Sequence, residues 1–263
     1  MVVVVTDPLA RPEPSPVSTQ LRETASWLVD LLFERTETAV ALEPIAARSC
    51  RLSIGRRVGF CSLVAGTGVT TVAALAAQRA GGAGSIVRLL DFDLVAPTIS
   101  LLAGERTPTL LDALAADRVR GRKWGSAFAI FGAERDPGPE VADALATFVR
   151  RMCKDAAVVV DAGTLREGSS AILRACDAVV YVATPRAAHV HAATRALPLL
   201  DGLDPPARLV VNRGTRDAAE AIAREVGMTL AGWIPEDPFL ARDEFRVRAE
   251  TARAVDALLS WLA

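Results

Sequence analysis

The chain has 263 residues, 51% hydrophobic and 23% charged, enough for one large α/β core in a soluble, globular protein. Its formal net charge of −1 excludes the strong electrostatic footprint of a dedicated nucleic-acid binder. No apolar run approaches the roughly eighteen residues of a membrane span. The opening Met1 to Val5 run meets Asp7 and Pro8 too early for a signal peptide, so the expected location is the cytoplasm.

Residues 1–17 read as an N-terminal strand and proline-rich arm, because prolines at 8, 12, 14 and 16 exclude helix and inner strand. Residues 18–55 hold an amphipathic helix and a linker. Leu21, Trp27, Leu28, Leu31 and Leu32 recur at helical spacing, with Arg22, Glu23, Asp30 and Glu34 between them. Such a helix packs on the main domain or docks onto a partner or a second copy. From residue 56 to 263, short apolar runs alternate with helical stretches. The runs are Val58 to Leu63, Ile86 to Leu90, Ala127 to Phe131, Ala156 to Val160, Ala178 to Val182, Arg208 to Val211 and Leu230 to Ile234. Near-continuous Val/Ile/Leu strands separated by helices predict an α/β fold: a doubly wound, mostly parallel sheet of about seven strands, covered on both faces as a three-layer sandwich. Ligands of such sheets sit beyond the carboxyl ends of the strands.

The first strand runs into Val64-Ala65-Gly66-Thr67-Gly68-Val69-Thr70-Thr71 and then into a helical Val72 to Ala77 stretch. Glycines let the backbone turn tightly so that N–H groups converge on a phosphate, and the helix N-terminus adds its partial positive charge. The second strand ends in Asp91-Phe92-Asp93 and the fourth in Asp161-Ala162-Gly163-Thr164. Carboxylates there can hold Mg²⁺ through water and orient an attacking water, while Thr70 offers the metal a hydroxyl. Each aspartate alone could equally be a turn or helix cap; three sites in the right order after three strands, the glycine loop included, form a constellation. Cys50, Cys61, Cys153 and Cys176 lack metal or disulfide spacing, and His189 and His191 would not share a helix face, so all six read as buried or incidental.

These residues resemble the MinD/ParA superfamily of P-loop ATPases, whose deviant Walker A loop is K-G-G-V-G-K-T-T, followed by a D-x-D after the next strand. Asp161 resembles the Walker B aspartate, Asn212-Arg213 an adenine-proximal Asn-Arg, and Gly232-Trp233-Ile234-Pro235-Glu236-Asp237 the late G-x-I-P-x-D segment. The resemblance implies that Gly66, Thr67, Gly68, Val69, Thr70, Thr71, Asn212 and Arg213 contact ATP or ADP. It further implies that Thr70, Asp91 and Asp161 serve Mg²⁺, that Asp93 orients water, and that two copies dimerise through their nucleotide faces.

Two departures stand out: Val64 replaces the family's signature lysine and Val69 the Walker A lysine. The chain's only lysines, Lys123 and Lys154, each precede a strand and are expected at the amino edge, away from the loop. Arg186 and Arg213 lie near strand ends on the loop's side. Loss of such a charge clamp costs about 10²- to 10³-fold in rate, so weak or non-hydrolytic nucleotide binding and an empty, vestigial site are the two readings. The G-T-G-V-T-T loop is similar to that of the TadZ/CpaE pilus-localisation and septum-site-determining branch, where the lysine is also replaced. The resemblance implies an organiser that localises a pilus, secretion or division machine, with peripheral membrane contact open to it through that machine. A ParA-type partitioning ATPase with nonspecific DNA binding is the alternative; residues 181–263 hold ten arginines but eleven acidic residues, which disfavours it. The tail from Arg253 carries Val255, Leu258, Leu259, Trp261 and Leu262 without a later cation, so it is expected to close the core rather than bind lipid.

Overall fold

The apolar runs form the strands of one eight-stranded sheet in a computed structural model that describes residues 50–93, 97–116, 119, 121–132, 141–166, 169–241 and 247–263. The N-terminal arm and the amphipathic helix expected over 1–49 lie outside the described residues. In chain order the strands are β1 (Arg57–Ser62), β2 (Val87–Asp91), β3 (Arg122–Trp124), β4 (Ala127–Ile130), β5 (Ala157–Thr164), β6 (Ala178–Ala183), β7 (Ala207–Asn212) and β8 (Leu230–Ile234). The sheet order is β3-β4-β2-β5-β1-β6-β7-β8, and only β3 runs antiparallel to its neighbour.

Side chains alternate along each strand, so the sheet feeds two cores. Cys61, Leu90, Val160, Tyr181 and Val211 face one cluster. It is closed by α3 (Leu110–Ala115), α4 (Ala142–Met152), α5 (Ser169–Arg174), α6 (Ala187–Asp201) and α7 (Arg216–Val226). Val58, Phe60, Leu89, Val159 and Val210 face the other, beneath α1 (Val69–Gly82), α2 (Ile99–Ala103) and α8 (Ala249–Leu262). The expected three layers are present. Helix α8 buries Val255, Leu258, Leu259 and Leu262 against the sheet, as expected for a tail that closes the core. No described helix is long and apolar enough to cross a membrane.

Three comparisons with the sequence reading concern the site. First, the structure adds β3, a three-residue polar strand at the sheet edge that period-based reading passes over because its residues are exposed or half-buried. Lys123 therefore lies within an antiparallel edge strand, paired with Phe128, rather than in a loop before one. Four strand steps separate β3 from β1, about 19 Å of sheet at roughly 4.8 Å per step, so Lys123 is still remote from the loop. Second, Lys154 is exposed and precedes β5 at the amino edge, as expected. Third, β5 runs to Thr164, through the Asp161-Ala162-Gly163-Thr164 segment expected at its end; Asp161 pairs with Asp91 on one side and Phe60 on the other.

Candidate functional site

The carboxyl ends of β1, β2, β5, β6 and β7 converge on the loop over residues 63–68. Its entry is pinned twice: the Ser62 hydroxyl donates to the Val64 carbonyl at 2.9 Å, and the Leu63 N–H donates to the Tyr181 hydroxyl at 3.1 Å. Tyr181 is the chain's single tyrosine, set in the buried β6; burial pushes its phenol up to about 12, so it stays neutral. Sequence reading missed this role, although a lone hydroxyl in an otherwise apolar strand is itself a signal that a buried partner exists.

Gly66 and Gly68 both adopt left-handed backbone, at φ 82 and 85. Gly68 caps α1 with no side-chain hydrogen bond, and no acidic residue occupies the first turn. The first amides of α1 thus point outward from a helix terminus that carries partial positive charge, an arrangement suited to an anion. Asn212 closes the loop from β7: its amide nitrogen donates to the Thr67 carbonyl at 2.8 Å, and its Oδ1 accepts from the Arg213 N–H at 3.0 Å. A Cβ on Gly68 would fall 2.4 Å from that amide nitrogen, so the clasp requires glycine. Arg213, at φ 56, is the only described non-glycine residue with positive φ.

Beneath the loop lie the carboxylates. Asp91 is fully buried and spends its oxygens on backbone, accepting from the N–H groups of Asp93 and Ile99 at 3.2 Å each. It shapes the D-x-D turn. Asp161 is also fully buried; its Oδ1 accepts from the Gly163 N–H at 3.0 Å, while its Oδ2 has no partner among the described residues. Gly163, at φ 56, lets Asp93 approach: a Cβ there would lie 2.4 Å from Asp93 Oδ2. Burial pushes Asp161 up to about 6, opposed by the Thr70 hydroxyl and the Gly163 N–H and reinforced by the charge of Asp93. Burial and the facing Asp161 hold Asp91 well above the usual carboxylate range.

A cation would relieve this crowding of negative charge. The orphan oxygen of Asp161 and the adjacent Thr70 hydroxyl fit Mg²⁺. Among the described residues no three His, Cys, Asp or Glu side chains form a metal cage, so such an ion would complete its shell with water and phosphate oxygens.

Val69 does not enter the loop. It is 6% exposed and packs into the core cluster that holds Val58, Phe60 and Val72. Val64 is half-buried, and Thr67 is buried with its hydroxyl unpartnered among the described residues. Asp237 of the late motif is a structural brace: its carboxylate accepts from the N–H groups of Phe239 at 3.0 Å and Arg248 at 2.7 Å, tying the end of β8 to the start of α8. The four cysteines, all among the described residues, form no disulfide, and three are buried. His191 is exposed, but His189 is buried, and its Nδ1 meets the Thr184 hydroxyl at the end of β6.

No protein-family model matches the sequence, and no curated protein does. Solved structures do. The Pyrococcus furiosus cell division ATPase MinD is 21% identical over 78% of this chain and 97% of its own, with a TM-score of 0.66. The septum site-determining protein MinD from Pyrococcus horikoshii, complexed with Mg-ADP, is 20% identical over 78% and 94%, TM-score 0.63. A ParA family ATPase from Chlorobium tepidum is 18% identical over 79% and 97%, TM-score 0.63. At this identity the likeness establishes architecture: the chain has the fold of the MinD and ParA ATPases.

Proposed function

We propose that the protein is a MinD/ParA-like spatial organiser whose degenerate site binds ATP or ADP with Mg²⁺ and turns it over slowly or not at all. The observation that carries this reading is the contrast within one loop. The glycine turns, the bare helix terminus, the Asn212 clasp and the orphan oxygen of Asp161 are all in place, while Val69, at the lysine position, is folded into the core. A vestigial empty site gives no reason for a buried carboxylate to keep an unpaired oxygen, since burial of that group is costly.

In this reading the loop amides and the start of α1 hold the phosphates, and Asp161 and Thr70 hold Mg²⁺, which supplies charge neutralisation on the phosphate oxygens. Asp91 fixes the turn that presents Asp93, and Asp93 orients a water. Thr71 follows in the first turn of α1, and Asn212 borders the base. Without a lysine, transition-state charge is under-compensated, at a cost of about 10²- to 10³-fold. The protein then acts as a slow or static clamp: a homodimer through its nucleotide faces that engages protein partners of a pilus, secretion or division machine.

Titration with ATP and Mg²⁺, followed by binding heat and by light scattering after size exclusion, tests this directly. The expected result is binding with dimer formation and negligible phosphate release. Turnover at the rate of lysine-containing relatives would overturn it.

A further inference from the structure

The loop has lost two cations, yet the same sheet edge carries two others, Arg186 and Arg213. Arg186 follows β6, the neighbour of β1, and Arg213 follows β7. The two connections touch: Ala183 pairs with Val211, and a Cβ on Gly214 would lie 3.9 Å from Pro185 Cδ. Both arginines are exposed, and neither has a hydrogen-bonded or ion-paired carboxylate among the described residues. By contrast, Arg57, Arg79, Arg88, Arg122 and Arg216 are each matched to an acid. Buried His189 lies close enough to both guanidinium groups for them, after burial itself, to hold its imidazole below the usual range.

Arg213 is also tied to the phosphate loop through the chain. Its neighbour Asn212 donates to the Thr67 carbonyl and packs against Gly68, and Asn212 Oδ1 accepts the Arg213 N–H, which holds Arg213 in left-handed backbone. A bulky residue kept at positive φ marks a position whose side-chain direction matters more than local ease.

We propose that Arg186 and Arg213 form a cationic clamp for the polyphosphate of a nucleoside di- or triphosphate seated on the loop, replacing in cis the charge lost at Val64 and Val69. This rests on the reading that the loop binds nucleotide. Guanidinium groups suit the role because their planar fork binds phosphate oxygens in pairs and stays charged at any physiological pH. Their origin just after β6 and β7 rather than within the loop brings them to the phosphates from the side, which supports holding a nucleotide more than driving its cleavage.

The test is calorimetric titration of the full-length protein with Mg-ATP, Mg-ADP and AMP at low and moderate salt, for wild type, Arg186→Gln, Arg213→Gln and the double variant. Arg224→Gln, at an exposed position of α7, serves as the control. Both clamp residues are exposed, so the variants should keep the wild-type melting profile. Each single change is expected to weaken Mg-ATP binding about tenfold and the double change about a hundredfold, with AMP binding altered little and the salt dependence reduced. Wild-type binding retained within twofold in the double variant would overturn the clamp alone. A wild-type protein that binds none of the three ligands would overturn the nucleotide reading and the clamp with it.

Discussion

Replacing Gly68 by alanine tests whether the Asn212 clasp organises the loop. The change places a Cβ at φ 85, where a non-glycine residue costs about 1–2 kcal/mol. The same Cβ would sit 2.4 Å from the Asn212 amide nitrogen, and Asn212, only 3% exposed, has little room to turn away without breaking its 2.8 Å bond to the Thr67 carbonyl. Losing that bond costs about 1 kcal/mol or more. The sum is about 3 kcal/mol, which for a domain of this size lowers Tm by about 6–12 °C. Gly66 provides the internal control: its φ is 82, but a Cβ there meets nothing within 4 Å, so Gly66→Ala should cost only the backbone part, about 1–2 kcal/mol. Urea unfolding of both variants, alone and with Asn212→Ala, completes the cycle. In the Asn212→Ala background the two glycine changes should cost the same. Equal costs in the wild-type background, or a difference that persists without Asn212, would refute the clasp.

Other outcomes follow from the carboxylates, the missing lysine and the buried imidazole. Asp161 is raised from 3.8 to about 6 by burial, so the folded state holds its proton more tightly than the unfolded chain; its contribution is favourable below about pH 4 and lost as pH rises through about 6. Asp161→Asn should therefore stabilise the nucleotide-free protein by up to about 3 kcal/mol at pH 7 and hardly at all at pH 4, while removing Mg²⁺-dependent nucleotide binding; unfolding curves at the two pH values that shift equally would contradict this. Val69→Lys withdraws an apolar side chain from the core, so the nucleotide-free variant should lose about 1.5–3 kcal/mol, with a gain in Mg-ATP affinity and measurable phosphate release if the remaining site is sound. His189 should titrate below the usual histidine range in an NMR pH series, and Arg186→Gln or Arg213→Gln should each move it upward; an unmoved resonance would place the guanidinium groups away from the ring.

Much of the fold was legible in the sequence because a parallel sheet covered on both faces needs unbroken apolar strands, and seven such runs stand out between helical stretches. The edge strand Arg122–Trp124 was not, since its polar residues carry no burial signal and it exists only by pairing with β4. The site divides in the same way. The glycine loop, the aspartates at the end of β2 and within β5, and the absence of lysine from the loop are one-dimensional facts, fixed by residue identity and order. Which oxygen of Asp161 lacks a partner, that Asp91 is consumed by the N–H groups of Asp93 and Ile99, and that Val69 turns into the core depend on contacts between distant segments. So does the proximity of Arg186 and Arg213, 27 positions apart in the chain but brought together because β6 and β7 are parallel neighbours. The sequence by itself determined the kind of fold and which cations are gone from the loop. Only the tertiary structure, through strand adjacency and burial, decided which oxygen of Asp161 has no partner among the described residues and how closely the connections after β6 and β7 approach each other.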